Sequence, residues 1–270
     1  MRVLTLNLWG RRGEWDQRRA VLVGALDDLR PDLVAFQEAV VTEEYDQAAD
    51  LLGAGFHLAH QREREPGEGD VERGQGISIA SRWPLGEVRE VDLHVTPRTA
   101  GFACTTLVAE VDAPTPVGPL VFANHVPSWQ LSFERERELQ ALAAARALEE
   151  LAGGRHVVLA GDLTADPDSG GARFLTGRQS LDGTSVCYRD AWESIHGHEP
   201  GETFTPRNPL VRDWDWPFRR LDYVLVRCGE HGGPTLEVRS CERFLDEPVD
   251  GVWVSDHFGV VADLESPSPR

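Results

Sequence analysis

Lysine is absent from this sequence, and all 27 basic residues are arginine. The absence excludes Schiff-base chemistry and a phosphate-loop lysine; it reads as a codon bias. Sulfur is scarce as well, with one methionine and four cysteines. Cys104, Cys187, Cys228 and Cys241 stand far apart with no Cys-x-x-Cys pair. They read as small core residues, and a disulfide scaffold is not expected. No apolar run approaches the roughly 20 residues of a membrane span. The opening MRVLTLNLW enters an apolar alternation at once, without the layout of a secretory signal. A soluble cytoplasmic monomer is the expectation.

A basic stripe is missing too. Only Arg11–Arg12, Arg18–Arg19 and Arg219–Arg220 form short clusters, within a net charge of −18 and a pI near 4.9. Such a surface repels a long polyanion, so a groove for long nucleic acid is not expected. Clustered carboxylates are instead what a bound divalent cation requires. Acid of this kind leaves room for a metal pocket that takes a small phosphate ester.

What is present is enough apolar mass for a large core. The 270 residues are 41% hydrophobic and include eight tryptophans and ten phenylalanines. One domain over residues 1–265 is expected, with a disordered tail at 266–270 (SPSPR). Val3, Leu4, Leu6 and Leu8 read as a strand. Ala20, Val21, Val23, Leu26 and Leu29 recur at helical spacing before Pro31. DLVAFQ (32–37) reads as a buried strand. Further strand patterns lie at 76–81, 103–111, 120–124, 156–160, 221–226, 236–241 and 258–264. Residues 133–151 are rich in alanine and leucine, with Glu134 and Glu136 in the first turn, and predict a helix. The charged, glycine-containing segment 61–74 predicts a solvated loop or a mobile flap. Strands mixed with helical crossovers point to sheets covered by helices.

The informative polar residues stand at the ends of these apolar runs. Asn7 closes the first strand pattern and Glu38 follows LVAFQ. His125 follows LVFAN, and Asp162 follows HVVLAG. Asp222 lies inside RRLDYVLV, and Asp256 with His257 precedes FGVVADL. Each alone has an ordinary explanation as a turn, cap or solvated residue. Asp222 is the sharpest single case, because a carboxylate within a buried strand needs a partner or a shifted pKa. As a set, they suit phosphate-ester hydrolysis. That chemistry needs a hard cation on oxygen ligands, an in-line water activated by an aspartate or a carboxylate-oriented histidine, and donors for the developing charge. Glu38 with Asn7 offers a cation site. His125 and His257 are candidate acid–base groups, with Asp222 a partner for His257.

The order LNLW…QE…NH…GDLT…RRLDYVLV…SDHFGV closely resembles the endonuclease/exonuclease/phosphatase superfamily, from Val3 to about Leu264. SDH is its most specific piece and RLDY the next. The resemblance implies a four-layer α/β sandwich, two mixed sheets face to face with helices outside. It implies Mg²⁺ or Mn²⁺ at Asn7 and Glu38, with Asp256 a metal-associated carboxylate. By the same likeness His125 contacts the scissile phosphate and Asp162 activates or positions the attacking water, while Asp222 and His257 form the Asp–His pair.

One position departs from the family's Gly-Asp-x-Asn: Thr164 stands where an asparagine contacts phosphate, and a hydroxyl lacks the amide's second donor. Arg98 is the nearest candidate for the arginine before the family's central hairpin. The loop 201–220 carries Asn208, Trp214 and Trp216, which could clamp a ring, a base or a lipid headgroup, or simply pack over the sheet edge. A phosphoesterase acting on a small or lipid-like substrate is the expected function. The alternatives are a nuclease on short or single strands, and a family member that binds phosphorylated ligands without turnover.

Overall fold

Period-two alternation along the strands decides how this chain stacks. In β1 (Arg2–Asn7), Val3 faces the second sheet and joins the central core, while Leu4 and Leu6 turn to the helices. In β8 (His156–Asp162), Val158 and Ala160 face that same central core, while Val157 and Leu159 pack on the other side. The computed structural model describes residues 1–267 except Glu68, Asp70, Trp214 and His231.

The remaining elements follow in chain order. They are α1 (Trp15–Leu29), β2 (Leu33–Val40), α2 (Gln47–Leu52), β3 (His57–His60), β4 (Gln75–Ser81) and β5 (Leu85–Asp92). Then come β6 (Thr105–Val111), β7 (Leu120–Val126), α3 (Glu134–Ala152), and, after β8, α4 (Gly170–Leu175) and β9 (Tyr188–Asp190). The last are α5 (Ala191–His196), β10 (Asp222–Arg227), β11 (Glu237–Phe244) and β12 (Gly259–Glu265). One six-stranded sheet has the order β11-β12-β1-β2-β4-β3, the other β5-β6-β7-β8-β10-β9. Each is mixed, with β1–β2 and β7–β8 the parallel pairs.

The two sheets pack face to face through Val3, Leu33 and Ile79 on one and Phe122, Val158 and Val224 on the other. Leu22 and Leu26 of α1 and Leu51 of α2 cover the outer face of the first sheet. Ala141, Ala145 and Leu148 of α3 cover that of the second. This is the expected four-layer α/β sandwich. Among the described residues no helix is long and apolar enough to cross a membrane.

Details differ from the sequence reading for local reasons. Helix α1 ends at Leu29, with Arg30 left-handed (φ 50) and its N–H on the Leu26 carbonyl at 2.9 Å, yet Ala20 is exposed and Leu22 is buried in its place. Strands β3 and β5 and the short β9 carry too few apolar residues to stand out. Cys187 is exposed, unlike the other three cysteines; its sulfur lies 3.5 Å from that of Cys228. In the tail, Ser266 donates to the Pro116 carbonyl at 2.6 Å, and residues 268–270 lie outside the described residues.

Candidate active site

Parity and register bring the polar residues to one edge of the sandwich. Asn7 ends β1 on the same face as Val3. Asp162 ends β8 on the face of Val158 and Ala160, and antiparallel pairing sets Asp222 opposite Asp162. Asp256 and His257 lie just ahead of β12, one residue from its start, and Val260 of that strand pairs with Thr5. The edge is closed across the sheets by the Asn7 amide, which donates to Asp162 Oδ2 at 3.2 Å and to Glu38 Oε1 at 3.3 Å.

Asp162 follows Gly161 for a steric reason. Gly161 has φ +147, and a Cβ there would lie 2.2 Å from the His125 carbonyl oxygen. Only glycine lets β8 approach β7 so closely.

His257 is oriented by Asp222. Its Nδ1 lies 2.9 Å from Asp222 Oδ2, and Nε2 faces Asp162 Oδ2 at 3.9 Å. Thr203 donates to the same Asp222 oxygen at 2.6 Å. Burial opposes charge on the imidazole, but Asp222, Asp162 and Asp256 outweigh it and hold His257 protonated well above the ordinary histidine range. The Ser255 hydroxyl explains the first letter of the SDH motif. It donates to the Asn7 carbonyl at 2.7 Å and accepts the His257 N–H at 3.2 Å, pinning this loop to the end of β1.

Glu38 lies inside β2, not after it. It sits in the register shift between Phe36 and Ala39 with φ +52, which turns its side chain to the edge. Arg12 donates to Glu38 Oε2 at 2.9 Å. Burial and the nearby Glu38 charge raise Asp256 to about 6 despite His257, and burial with Asp222 raises Asp162 to about 7. Trp9 (φ 56), Glu38 and Thr164 (φ 48) are all left-handed non-glycine residues, and all line one cavity. Strain of this kind gathers where a site over-determines the backbone.

That cavity has a volume of about 680 Å³, within the roughly 300–1,000 Å³ of small-molecule sites. Asn7, Glu38, Asp162, Asp256 and His257 form its acidic end. Phe102, Trp129, Phe204 and Trp216 add an aromatic lining, and Trp9 sits against Asn7, whose Oδ1 accepts its N–H at 2.9 Å.

A profile of the endonuclease/exonuclease/phosphatase family matches residues 4–257. The chain belongs to this family. A search of curated proteins finds no match. Among solved structures, D. rerio TDP2 complexed with a single-strand DNA product is similar at TM-score 0.77 and 17% identity, covering 98% of this chain and 99% of that one. The human Nocturnin catalytic domain with a bound sulfate anion is similar at TM-score 0.75 and 19% identity, covering 99% and 94%. A protein described as an endonuclease/exonuclease/phosphatase from Bacteroides vulgatus has TM-score 0.72 at 18% identity, covering 98% of each chain. At these identities the likeness is one of fold.

Not every residue expected from the family pattern reaches the cavity. His125 stands on the face of β7 opposite Asn124, beside Thr106, whose Oγ1 lies 2.7 Å from its Nδ1. It is absent from the cavity wall, and burial lowers it to about 4, so it is neutral. A phosphate contact from His125 therefore finds no support here. Arg98 does not line the cavity either: it pairs with Glu136 at 3.1 Å and stacks on Phe133. Asn208 lies behind the wall, where its amide donates to the Ser255 carbonyl at 2.7 Å and steadies the SDH loop. Thr164 lines the cavity, but its hydroxyl donates to the Ser128 carbonyl at 3.1 Å, so the missing asparagine is not replaced by an inward-facing donor. Trp216 is on the wall; Trp214 lies outside the described residues.

Two groups offer ligands to a cation. Asp162, Asp222 and His257 each present an atom within 4.8 Å of the others. Glu38 and Asp256 offer carboxylate oxygens whose mutual repulsion a hard cation relieves, and Asn7 steadies Glu38 from beside them with its amide N–H.

The sequence reading missed the arginines that hold these loops in place. Buried Arg18 donates to the carbonyls of Val254 (2.7 Å), Arg12 (2.5 Å) and Leu8, and is flanked by Trp9 and Trp15. It thus ties the loop after Asn7 to the segment before Ser255. Arg64 grips the Ala39, Gly74 and Ile77 carbonyls, and Arg137 those of Ser128 and Gln130. A planar fork of donors suits such cradles as an ammonium does not. Nothing in the sequence sets these three apart from 24 other arginines.

Proposed function

We infer that this chain is a divalent-cation-dependent phosphoesterase that hydrolyses a small phosphodiester or phosphomonoester by direct attack of water. One observation carries the reading: carboxylates from both sheets and the Asp222-held imidazole of His257 face a single cavity. Glu38 and Asp256, with Asn7, would hold the cation, Mg²⁺ or Mn²⁺. Bound there, it would polarise the phosphoryl group and stabilise the leaving oxygen.

The chain's own residues supply the proton chemistry. Asp162, lifted by burial to about 7, has the affinity a general base needs near neutrality and takes the proton from the attacking water. His257, oriented through Nδ1 by Asp222, offers its Nε2 proton to phosphoryl oxygen as negative charge builds. No covalent intermediate is involved. The acidic surface and a cavity of small-molecule size favour a compact or lipid-like ester over long duplex DNA. The reading takes the protein as a cytoplasmic monomer, where its four free thiols persist.

Release of nitrophenol from bis- and mono-p-nitrophenyl phosphate, with Mg²⁺ or Mn²⁺ and an EDTA control, tests it. Turnover that EDTA abolishes is expected. No metal-dependent turnover on any phosphate ester would favour a binding protein instead. A nuclease on single strands has one observation in its favour, the DNA-bound structure of similar fold. Plasmid nicking and single-strand degradation without diesterase activity on small esters would establish that reading in place of ours.

A further inference from the structure

The chemistry occupies one end of the cavity; rings build the other side. The rings of Trp129 and Trp216 have centroids 5.9 Å apart and planes tilted by 38°. Phe204 joins them to the catalytic end, its ring 5.1 Å from that of His257. Trp129 remains 46% exposed, a large apolar face held open inside a cleft. An open indole beside a catalytic imidazole is a stacking surface.

Three observations narrow what stacks there. The net charge of −18 disfavours a polyphosphate or a long strand, and Arg12, a cation of the cavity, is already paired with Glu38. Arg219 lines the same cavity with its Nε buried and lacking a hydrogen-bond partner among the described residues; a cation so placed repels a quaternary ammonium headgroup. Trp129 also presents a flat face, 46% exposed, that a planar ring can cover. A flat, uncharged ring satisfies all three.

We propose that the Trp129–Trp216 corner is a ring-binding subsite, and that the substrate is a single phosphate ester carrying a planar uncharged ring. The assignment rests on the phosphoesterase reading above, and its test is a binding measurement so that the two can fail separately. Phenylphosphonate, methylphosphonate and choline phosphate are titrated calorimetrically into the full chain with Mg²⁺ present.

Phenylphosphonate is expected to bind at least about tenfold more tightly than methylphosphonate, the scale of one aromatic stack. Trp129→Ala and Trp216→Ala should each erode that preference, and Trp129→Phe should keep most of it. The exposure of Trp129 makes its replacement mild for folding, which circular dichroism checks. Equal binding of the phenyl and methyl probes overturns the subsite, as does a preference that survives both alanine variants. Tighter binding of choline phosphate than of phenylphosphonate overturns it too. Loss of all metal-dependent turnover with the phenyl preference intact would sink the hydrolase reading and leave the subsite standing.

Discussion

The two ends of the cavity are built in different ways. Its acidic end grows mainly from strand ends, where ladder register and side-chain parity fix Asn7 on β1, Asp162 and Asp222 paired across β8 and β10, and Glu38 at a bulge. Asp256 and His257 join them from a loop that Ser255 pins to β1. Its aromatic side hangs on loops, Trp129 after β7 and Trp216 ahead of β10. Loops vary and adapt while ladders do not. The contrast assigns the reaction to the ladder and the choice of substrate to the loops.

The sharpest way to break that division is at the acidic end. His257→Ala and Asp162→Ala should each lower turnover at least ~100-fold, the scale of a lost acid or base. His257→Ala, which leaves buried Asp222 without its partner, should also lower the thermal midpoint. Steady-state rates on bis-p-nitrophenyl phosphate check this. Near-normal rates in both variants would remove the site assignment.

A smaller effect comes from beneath the two ends. Arg18→Lys leaves one ammonium to serve three buried carbonyls, and each orphaned carbonyl costs about 1–3 kcal/mol. We expect lower stability and, by loosening both the Asn7 and Ser255 loops, a roughly tenfold fall in kcat. Arg137→Lys disturbs Ser128 and Gln130 beside Trp129 and should act mainly through KM for ring-bearing esters. If both variants moved the same kinetic constant, the two ends would not be separable.

The sequence was most legible where parity and apolar runs coincide. β1, β7, β8 and α3 announce themselves, and Asn7, Asp162, Asp256 and His257 fall at the ends the pattern predicts, while Asp222, read as inside a strand, is the first residue of β10. Legibility stops where geometry is non-local. His125 looked like its neighbours in the pattern, yet one-residue parity along β7 turns Asn124 inward to the Phe36 and Ser78 carbonyls and His125 outward to Thr106. Glu38 reads as following a strand because a bulge has no sequence signature here. Thr203, which braces Asp222 from a loop 19 residues away, is an ordinary threonine until the chain folds.

Proton linkage offers a third, weaker probe of the acidic end. Burial and Asp222 raise Asp162 to about 7, so the folded metal-free chain binds a proton that the unfolded chain releases near pH 4. Its stability therefore falls as pH rises from about 4 through 7. Asp162→Asn removes this dependence. Metal-free Asp162→Asn should equal the wild type near pH 4 and exceed it near pH 8 by on the order of 1 kcal/mol or more; Mg²⁺ or Mn²⁺ should restore the wild type at pH 8. Urea unfolding at the two pH values measures it, and a wild type that grows more stable than the variant toward pH 8 would contradict it.

The smallest expected effect lies where the two ends meet. Thr164 holds a left-handed backbone (φ 48) that a β-branched residue resists and asparagine tolerates. Its N–H donates to Asp162 Oδ1 at 2.8 Å, so the strained turn also aims the proposed base. Thr164→Asn should therefore keep that backbone bond while relieving about 0.5–1 kcal/mol of strain. It gives up the hydroxyl bond to Ser128, on the loop leading to Trp129, and places an amide donor at the cavity wall. We expect a slightly higher thermal midpoint, kcat raised by a few-fold, and a weaker preference for ring-bearing esters. A lower midpoint together with unchanged kcat would mean that the threonine is needed for its bond to Ser128, and that the acidic end is tuned through the loop after all.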